Sequence, residues 1–221
     1  MHNPKDDTAL CALCEKKPAT EKYTRAGHTE VVCATCHDRW AVQDALEDKL
    51  LHILGLARRR QYDDALTCLE SILNANRNRD HDGWLSNSVA LQRASILFDA
   101  GRYSEAEQVY NDWSRLGFVD VWRRQMHALG LSKTLEALGR DREAMAALEA
   151  VLGNDDPDDP SLTLSALTNL VRISDKLTLP LNPEWLRIAE AIAKHHGVVM
   201  PSGHAPAGAI LALEELLRSK Q

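Results

Sequence analysis

Two pairs of cysteines near the amino end are the residues of this sequence best suited to chemistry. Cys11 and Cys14 form one C-x-x-C pair, and Cys33 and Cys36 form a second after an 18-residue gap. Two such turns can direct four sulfurs at one ion, at about 2.3 Å from each thiolate in a tetrahedral zinc site. The spacing therefore predicts one structural Zn²⁺ per chain, held by Cys11, Cys14, Cys33 and Cys36.

The second pair also allows a different interpretation, because residues 33–37 spell C-x-x-C-H, the attachment motif of a c-type haem. Haem attachment requires export, yet the first 15 residues hold three acidic side chains and no apolar signal segment. Haem would also leave Cys11 and Cys14 without a role. We therefore favour zinc, and we expect His37 to lie at a helix start. We expect a cytoplasmic protein, where thiols stay reduced.

The gap between the cysteine pairs must return the chain to its starting point, and its pattern predicts a β-hairpin. Residues 19–24 show the alternating side-chain pattern of a strand, and Gly27 supplies a turn residue. Residues 29–32 contain β-branched side chains and form the strand that returns. The stretch resembles small four-cysteine zinc ribbons, in which a similar K-K-P-A-T segment follows the first pair. It departs from them at Glu15, where those ribbons often have glycine. We expect residues 1–37 to form this module.

The composition narrows the function classes. The chain has 221 residues, 44% of them hydrophobic and 5% aromatic, which suits a helical protein rich in Leu and Ala. The net charge of -6 does not favour nucleic acid or anionic membrane, and no apolar run approaches the roughly 18 residues of a membrane span. Residues 1–40 carry six basic and six acidic side chains. The charge of the module therefore does not favour binding to nucleic acid.

Residues 38–221 show the periodicity of amphipathic helices almost throughout. The first stripe runs through Val42, Leu46, Leu50, Ile53 and Ala57. Further stripes predict paired helices up to a final helix at about residues 206–219, and one of them consists of Trp122, Met126 and Leu129. Asn182 and Pro183 predict the start of the eighth helix.

The turns between paired helices repeat along the chain. The segments "RRQYDDALTCL", "AGRYSEAEQVY" and "LGRDREAMAAL" align on Ala65, Ala106 and Ala144. They resemble the G-x-Y-x-x-A junction of tetratricopeptide (TPR) repeats, most closely in the second unit. Arg60 replaces the junction glycine in the first unit, Asp141 replaces the tyrosine in the third, and the fourth hairpin shows no motif. The fold class predicted is mainly α, an α-solenoid of stacked TPR-like hairpins behind a small zinc-bound β-hairpin module.

The TPR resemblance implies a surface for a partner protein or peptide, formed by the first helix of each hairpin. The implied positions are Glu47, Leu50, Leu54 and Arg58 in the first unit, Ser88, Leu91, Ser95 and Phe98 in the second, and Met126, Leu129, Lys133 and Glu136 in the third. Because only two of these twelve are basic, an apolar helix or strand is a better expected partner than a carboxylate-rich peptide. The leucines among them can instead be core residues.

Other polar clusters carry weaker signals. His81-Asp82 resembles the pair of a metal-dependent phosphohydrolase, but we interpret it as two polar residues of a loop. We interpret the acidic segment 153–160 as a solvated linker. His195 and His196, with His204, form at most a minor metal candidate. Cys68 is expected to pack as a small hydrophobic residue.

The function expected from the sequence is that of a non-enzymatic adaptor, since no Ser/His/Asp set, phosphate loop or dinucleotide motif occurs. Two alternatives remain open. One is a nucleic-acid-associated regulator that uses the ribbon and Arg58–Arg60. The other is a redox switch in which thiol oxidation ejects zinc. The sequence does not predict an oligomeric state.

Overall fold

A computed structural model of the chain describes residues 10–25, 27–150, 152 and 161–196, and for Arg25, Glu190 and residues 193–196 only the backbone. Within these residues the protein is mainly helical, with one small antiparallel sheet. The chain divides into two compact units, residues 1–92 and 93–221. The predicted final helix, the acidic segment 153–160, His204 and the side chains of His195 and His196 lie outside the described residues.

The predicted hairpin is confirmed. Strand β1 (Glu21–Arg25) pairs antiparallel with β2 (His28–Val32), with Tyr23 opposite Glu30. Gly27 lies in the turn with φ of 83°, a left-handed conformation that costs a glycine no steric strain. An isolated bridge joins Leu10 to Pro18. Ala12 N–H donates to the Val31 carbonyl of β2 at 3.2 Å, which places the first cysteine turn alongside the sheet.

Eight α-helices follow in the described part of the chain. They are α1 (Ala34–Arg58), α2 (Tyr62–Asn76), α3 (Trp84–Asp99), α4 (Tyr103–Leu116), α5 (Val121–Ala137), α6 (Asp141–Glu149), α7 (Ser161–Lys176) and α8 (Pro183–His196), with one 3₁₀ turn (Arg77–Arg79) after α2. The start of α8 agrees with the sequence: the Asn182 side chain accepts a hydrogen bond from Glu184 N–H at 3.0 Å.

Helix α1 begins earlier than the sequence pattern indicated. It starts at Ala34, and Cys33 is its N-cap residue, so Cys36 and His37 already lie in its first turn. The boundary predicted between residues 37 and 38 therefore falls inside a continuous helix. A separate metal module and repeat domain remain a prediction.

The hairpin turns share one geometry, which explains the repeated motif. Arg60, Gly101, Gly139 and Thr178 all have positive φ, at 62°, 74°, 77° and 55°. The residue after each one donates its N–H to a carbonyl five positions back, at 2.8 to 2.9 Å, which is the Schellman arrangement of a helix end. The first three turns were predicted from the motif. The fourth was missed, because Thr178 gives no sequence signal for a left-handed residue.

The alanines of the motif pack as expected. Ala65, Ala106 and Ala144 are each 0% exposed, because a small side chain there lets the two helices of a hairpin approach closely. The stripe of α1 is confirmed in part: Val42, Leu46 and Ile53 are buried, and Leu50 and Ala57 half-buried.

The stripe predicted for α5 does not form its buried side. Trp122 is 42% exposed, and Met126 and Leu129 are half-buried. The buried side of α5 is instead largely polar, with Gln125 and His127 among its members. Gln125 donates to the Thr163 hydroxyl of α7 at 3.0 Å, and His127 Nε2 lies 2.8 Å from the Tyr110 carbonyl oxygen. Hydrogen bonds to neighbouring helices offset the cost of burying these groups. A polar side chain in α5 therefore does not by itself indicate an exposed position.

Candidate metal centre and docking surface

The two cysteine pairs are held by different local structures. Cys11 and Cys14 lie in a turn closed by a hydrogen bond from Glu15 N–H to the Cys11 carbonyl at 2.9 Å. Glu15 has φ of 53°, a left-handed conformation that favours glycine over residues with a Cβ. Cys33 and Cys36 lie at the start of α1, where His37 N–H donates to the Cys33 carbonyl, also at 2.9 Å. The same i to i+4 bond thus shapes both turns.

The four sulfurs converge as predicted. The sulfur atoms of Cys11, Cys14, Cys33 and Cys36 all lie within 4.8 Å of one another, and those of Cys14 and Cys33 are 4.0 Å apart. Tetrahedral coordination at 2.3 Å would separate the sulfurs by about 3.8 Å, so a small contraction suffices. All five cysteines are free thiols. The donor set therefore fits one tetrahedral ion.

Hydrogen bonds to the sulfurs prepare the cluster for a cation. Burial raises the pKa of Cys11, but backbone N–H groups, among them those of Cys14 and Cys33, outweigh it and lower the pKa to about 6. Backbone N–H groups, first that of Lys16, also lower the pKa of Cys14. Burial raises the pKa of Cys36, and hydrogen bonds with the other sulfurs raise it further. Cys11 and Cys14 therefore lose their protons more readily than Cys36 does, and a bound cation would displace the proton of any ligand that still carries one.

A small apolar cluster supports the sulfurs. Cys11 and Val32 are both 0% exposed, and the rings of Tyr23 and Trp40 pack against the cluster they form with Cys33. So few buried side chains cannot stabilise an independent fold. A bound metal would supply the remaining stability of this region.

His37 does not point to the sulfurs as a fifth ligand. Its ring packs edge-on against Tyr23, with centroids 5.3 Å apart, and its Nδ1 lies 3.6 Å from Asp38. The group of potential metal ligands in the described chain contains the four cysteines alone. The expectation that His37 lies in a helix start is confirmed.

The loop before α3 gives His81 and Asp82 structural partners. His81 Nε2 lies 3.0 Å from a carboxylate oxygen of Asp38, and Asp82 lies 3.4 Å from Arg39 Nε. Asp80 caps α3 by accepting from the N–H of Leu85 and of the next residue, at 2.8 and 2.9 Å. The loop thus links the start of α1 to the start of α3 within the first unit.

Cys68 contributes to a cavity of about 510 Å³ between α1 and α2. It is half-buried there, with Leu56 and Ile72 among the apolar lining and Lys49 and His52 among the polar lining. It lies outside the four-sulfur group.

The positions predicted to bind a partner vary in exposure. Glu47, Arg58, Ser95 and Lys133 are exposed. Seven others are half-buried: Leu50, Leu54, Leu91, Phe98, Met126, Leu129 and Glu136. Ser88 is buried, with its hydroxyl donating to the Trp84 carbonyl at 2.8 Å.

Some of these side chains have partners within the chain. Glu136 accepts from Arg172 of α7 at 2.7 Å, an ion pair between the first helices of two hairpins. Their role in binding remains a prediction.

Comparison with solved structures identifies the architecture. A chain from Podosopora anserina, described as a putative kinesin light chain with nearly identical TPR-like repeats, matches with a TM-score of 0.50 and 16% sequence identity. The match covers 78% of this chain and 92% of that one. The fold is TPR-like. At this identity the likeness concerns the fold alone.

The other comparisons add no relative. No protein-family model matches the sequence, and no curated protein matches it either. Among the described residues, no helix combines the length and apolar character that crossing a membrane requires.

Proposed function

We propose that the protein is a non-enzymatic adaptor that carries one structural Zn²⁺ and docks a partner protein through its TPR-like helices. The observation that carries the metal part is the convergence of four sulfurs within 4.8 Å. Zinc is the metal of choice for a set of four thiolates in a reducing compartment, and we propose a cytoplasmic location on that basis. We propose residues 1–37 and 38–221 as its two functional parts.

The proposed metal has a structural role. Four thiolates fill a tetrahedral shell and leave no position for water or substrate, so the ion would not activate a nucleophile. Its binding energy would instead join the turn of Cys11 and Cys14 to the first turn of α1, because two ligands come from each, and so would stabilise the hairpin that connects them.

The proposed docking surface lies on the first helices of the hairpins. Leu54, Leu91, Met126 and Leu129 are half-buried and so retain apolar surface that a partner can cover. Arg58 and Lys133 are the basic members of the predicted set and are exposed. Each unit by itself offers this combination, with Leu54, Leu91 and Arg58 in residues 1–92 and Met126, Leu129 and Lys133 in residues 93–221. In either unit it supports an apolar partner segment with an acidic residue near it.

A pair of matched charge reversals tests the docking proposal. Lys133→Glu changes a predicted contact on α5, and Arg142→Glu changes an exposed side chain on α6 of the same hairpin. Proteins captured from a lysate of the native host should be lost with Lys133→Glu and retained with Arg142→Glu, with circular dichroism confirming that both variants fold. Equal capture by both variants would contradict docking at this surface.

The nucleic-acid alternative has less support. Cys36 and Arg58 lie 22 residues apart in one helix, α1, and the helical rise over that distance is about 33 Å. A short segment of nucleic acid would not contact both the cysteine cluster and Arg58–Arg60. Retention on a nucleic-acid column should be weak and should depend little on salt, whereas a steep loss of binding with salt would favour this alternative.

The redox alternative also has less support. Cys11 and Cys33 are buried and Cys14 and Cys36 half-buried, which limits the access of an oxidant. Mild peroxide should release little zinc. The time allowed for release is the time that a thiol reagent needs to modify Cys68, which lies outside the cluster.

A further inference from the structure

One side of α1 carries a stripe of four residues, Glu47, Leu51, Leu54 and Arg58, which we call the α1 stripe. Their spacings of four, three and four residues place them in one row, as in the seam of a coiled coil. Leu51 is 83% exposed, the highest value among the exposed large apolar side chains of the described residues. Burial of Leu51 would therefore remove more apolar surface from water than burial of any other such side chain.

The α1 stripe is complementary to itself when it is reversed. Glu47 lies four residues before Leu51, and Arg58 lies four residues after Leu54. A twofold axis between Leu51 and Leu54 would bring Glu47 of one copy opposite Arg58 of the other, twice. It would also bring Leu51 of each copy opposite Leu54 of the other. Opposite charges thus flank an apolar centre in the antiparallel direction, whereas a parallel pair in register would place like charges together.

The residues beside the α1 stripe fit the same axis. In an antiparallel pair each edge of the seam faces the same edge of the other copy, so the edge with Leu50 faces Leu50 of the other copy and the edge with Gly55 faces Gly55. Gly55 has no side chain, and an added Cβ would meet only a guanidinium nitrogen of Arg59, at 3.8 Å. The Gly55 edge is therefore open, which allows the helices to approach closely.

The β-hairpin sets the amino-terminal limit of this surface. Tyr23 packs on Trp40 with ring centroids 5.0 Å apart, and its hydroxyl donates to Asp44. The α1 stripe begins directly after this contact, at Glu47, and extends for about 17 Å to Arg58.

We propose that α1 pairs antiparallel with α1 of a second copy of this chain through the α1 stripe. This inference rests on the proposed function, because Glu47, Leu54 and Arg58 belong to the predicted docking surface, and it names the partner of the first hairpin. The contact is isologous, with each residue used once by each copy. Because it is short, the dimer is reversible and not obligate.

Charge reversal with compensation tests the pairing directly. Equilibrium sedimentation of the zinc-loaded chain, over a series of protein concentrations, should give a concentration-dependent dimer. Glu47→Arg and Arg58→Glu alone place like charges opposite each other, and each should weaken the dimer by about tenfold or more. The double variant exchanges the charges and should restore the dissociation constant to within about threefold of the original, since opposite charges again face each other. Leu51→Asp should also weaken the dimer, and Glu70→Arg, an exposed reversal on α2, should leave it unchanged.

Each outcome decides the proposal. A chain that is monomeric at all concentrations overturns it, and so does a dimer that the single reversals leave intact. A dimer that the single reversals disrupt but the double variant does not restore overturns the antiparallel register. Lys133→Glu separates this proposal from the adaptor function, because Lys133 lies outside the α1 stripe. Lys133→Glu should therefore keep the dimer while it loses the captured protein. If the original chain forms the dimer but captures no other protein, the adaptor proposal fails and the dimer stands. If a strictly monomeric chain captures another protein, the dimer proposal fails and the adaptor proposal stands.

Discussion

The hydroxyl of Tyr23, in the first strand, donates to the carboxylate of Asp44, in the third turn of α1. The same ring packs on Trp40 and meets His37 edge-on. This one side chain therefore joins the hairpin beside the cysteine cluster to the helix that follows it. The metal site and α1 are thus structurally linked as well as consecutive in sequence.

Removal of the Tyr23 hydroxyl should loosen this link without loss of the metal ligands. Tyr23→Phe should lower the free energy of unfolding by about 1–2 kcal/mol, because the hydroxyl donates to a charged carboxylate in a half-buried position. Chemical denaturation of Tyr23→Phe, Asp44→Asn and the double variant measures it. The double variant should lose less free energy of unfolding than the two single variants lose together. Additive losses would mean that Tyr23 and Asp44 act independently.

Metal content should depend on Cys14 and not on Cys68. Cys14→Ser should abolish binding of the proposed zinc, since a serine hydroxyl is a poor replacement for a thiolate in this site. The helical signal in circular dichroism should fall only slightly, by the first turn of α1, because the remaining helices do not use the metal. Cys68→Ser is the matched control and should retain full zinc. Metal-free wild-type protein with protected amides in its hairpin would contradict a structural role for the metal.

The fourth turn should gain stability from a glycine. Thr178 is β-branched and exposed, and its φ of 55° is strained for any side chain with a Cβ. Thr178→Gly should therefore raise the free energy of unfolding by about 1 kcal/mol. Gly101→Ala makes the reverse change at an equivalent turn and should lower it by a similar amount. A loss of stability in Thr178→Gly would show that the threonine side chain has a compensating contact.

Acid should destabilise the second unit through His127. Burial lowers the pKa of His127 from its usual value of 6.5, against the opposing effect of its bond to the Tyr110 carbonyl. The unfolded chain then binds a proton at a higher pH than the folded chain does. Stability is therefore lost as the pH falls below about 6.5 toward the lower folded pKa.

The slope of unfolding free energy against pH measures this effect. His127→Gln should flatten the slope in that range, whatever its effect on stability at neutral pH. An unchanged slope would assign the acid sensitivity to other groups. The ring lies among Tyr110, Trp113 and Phe118, with centroids 4.9 to 5.3 Å away, so water has little access to a charged imidazole.

Particular residues show how far the sequence leads. The C-x-x-C pairs predicted the approach of four sulfurs, and the repeated Ala65, Ala106 and Ala144 predicted three close hairpins. Both signals are local, because a short spacing fixes which residues can face each other. Identification of the ion as zinc, and of the docking residues, is still a proposal that rests on chemistry and on repeat geometry.

Other features depend on contacts that no short segment contains. The positive φ of Thr178 runs against local preference, since a β-branched residue disfavours that conformation. The start of α1 at Ala34 differs from the sequence pattern, in which the helical periodicity began at residue 38. Gln125 is buried because Thr163, 38 residues further on, accepts its hydrogen bond.

The sequence by itself determined the cysteine spacing, the helical periodicity and the turn motif, because each is expressed within a few residues. Only the tertiary structure decided which side of α5 is buried, where α1 begins and that Leu51 of the α1 stripe is left exposed. Those outcomes follow from packing and hydrogen bonds between distant segments, whose free energy exceeds the small preferences of single residues.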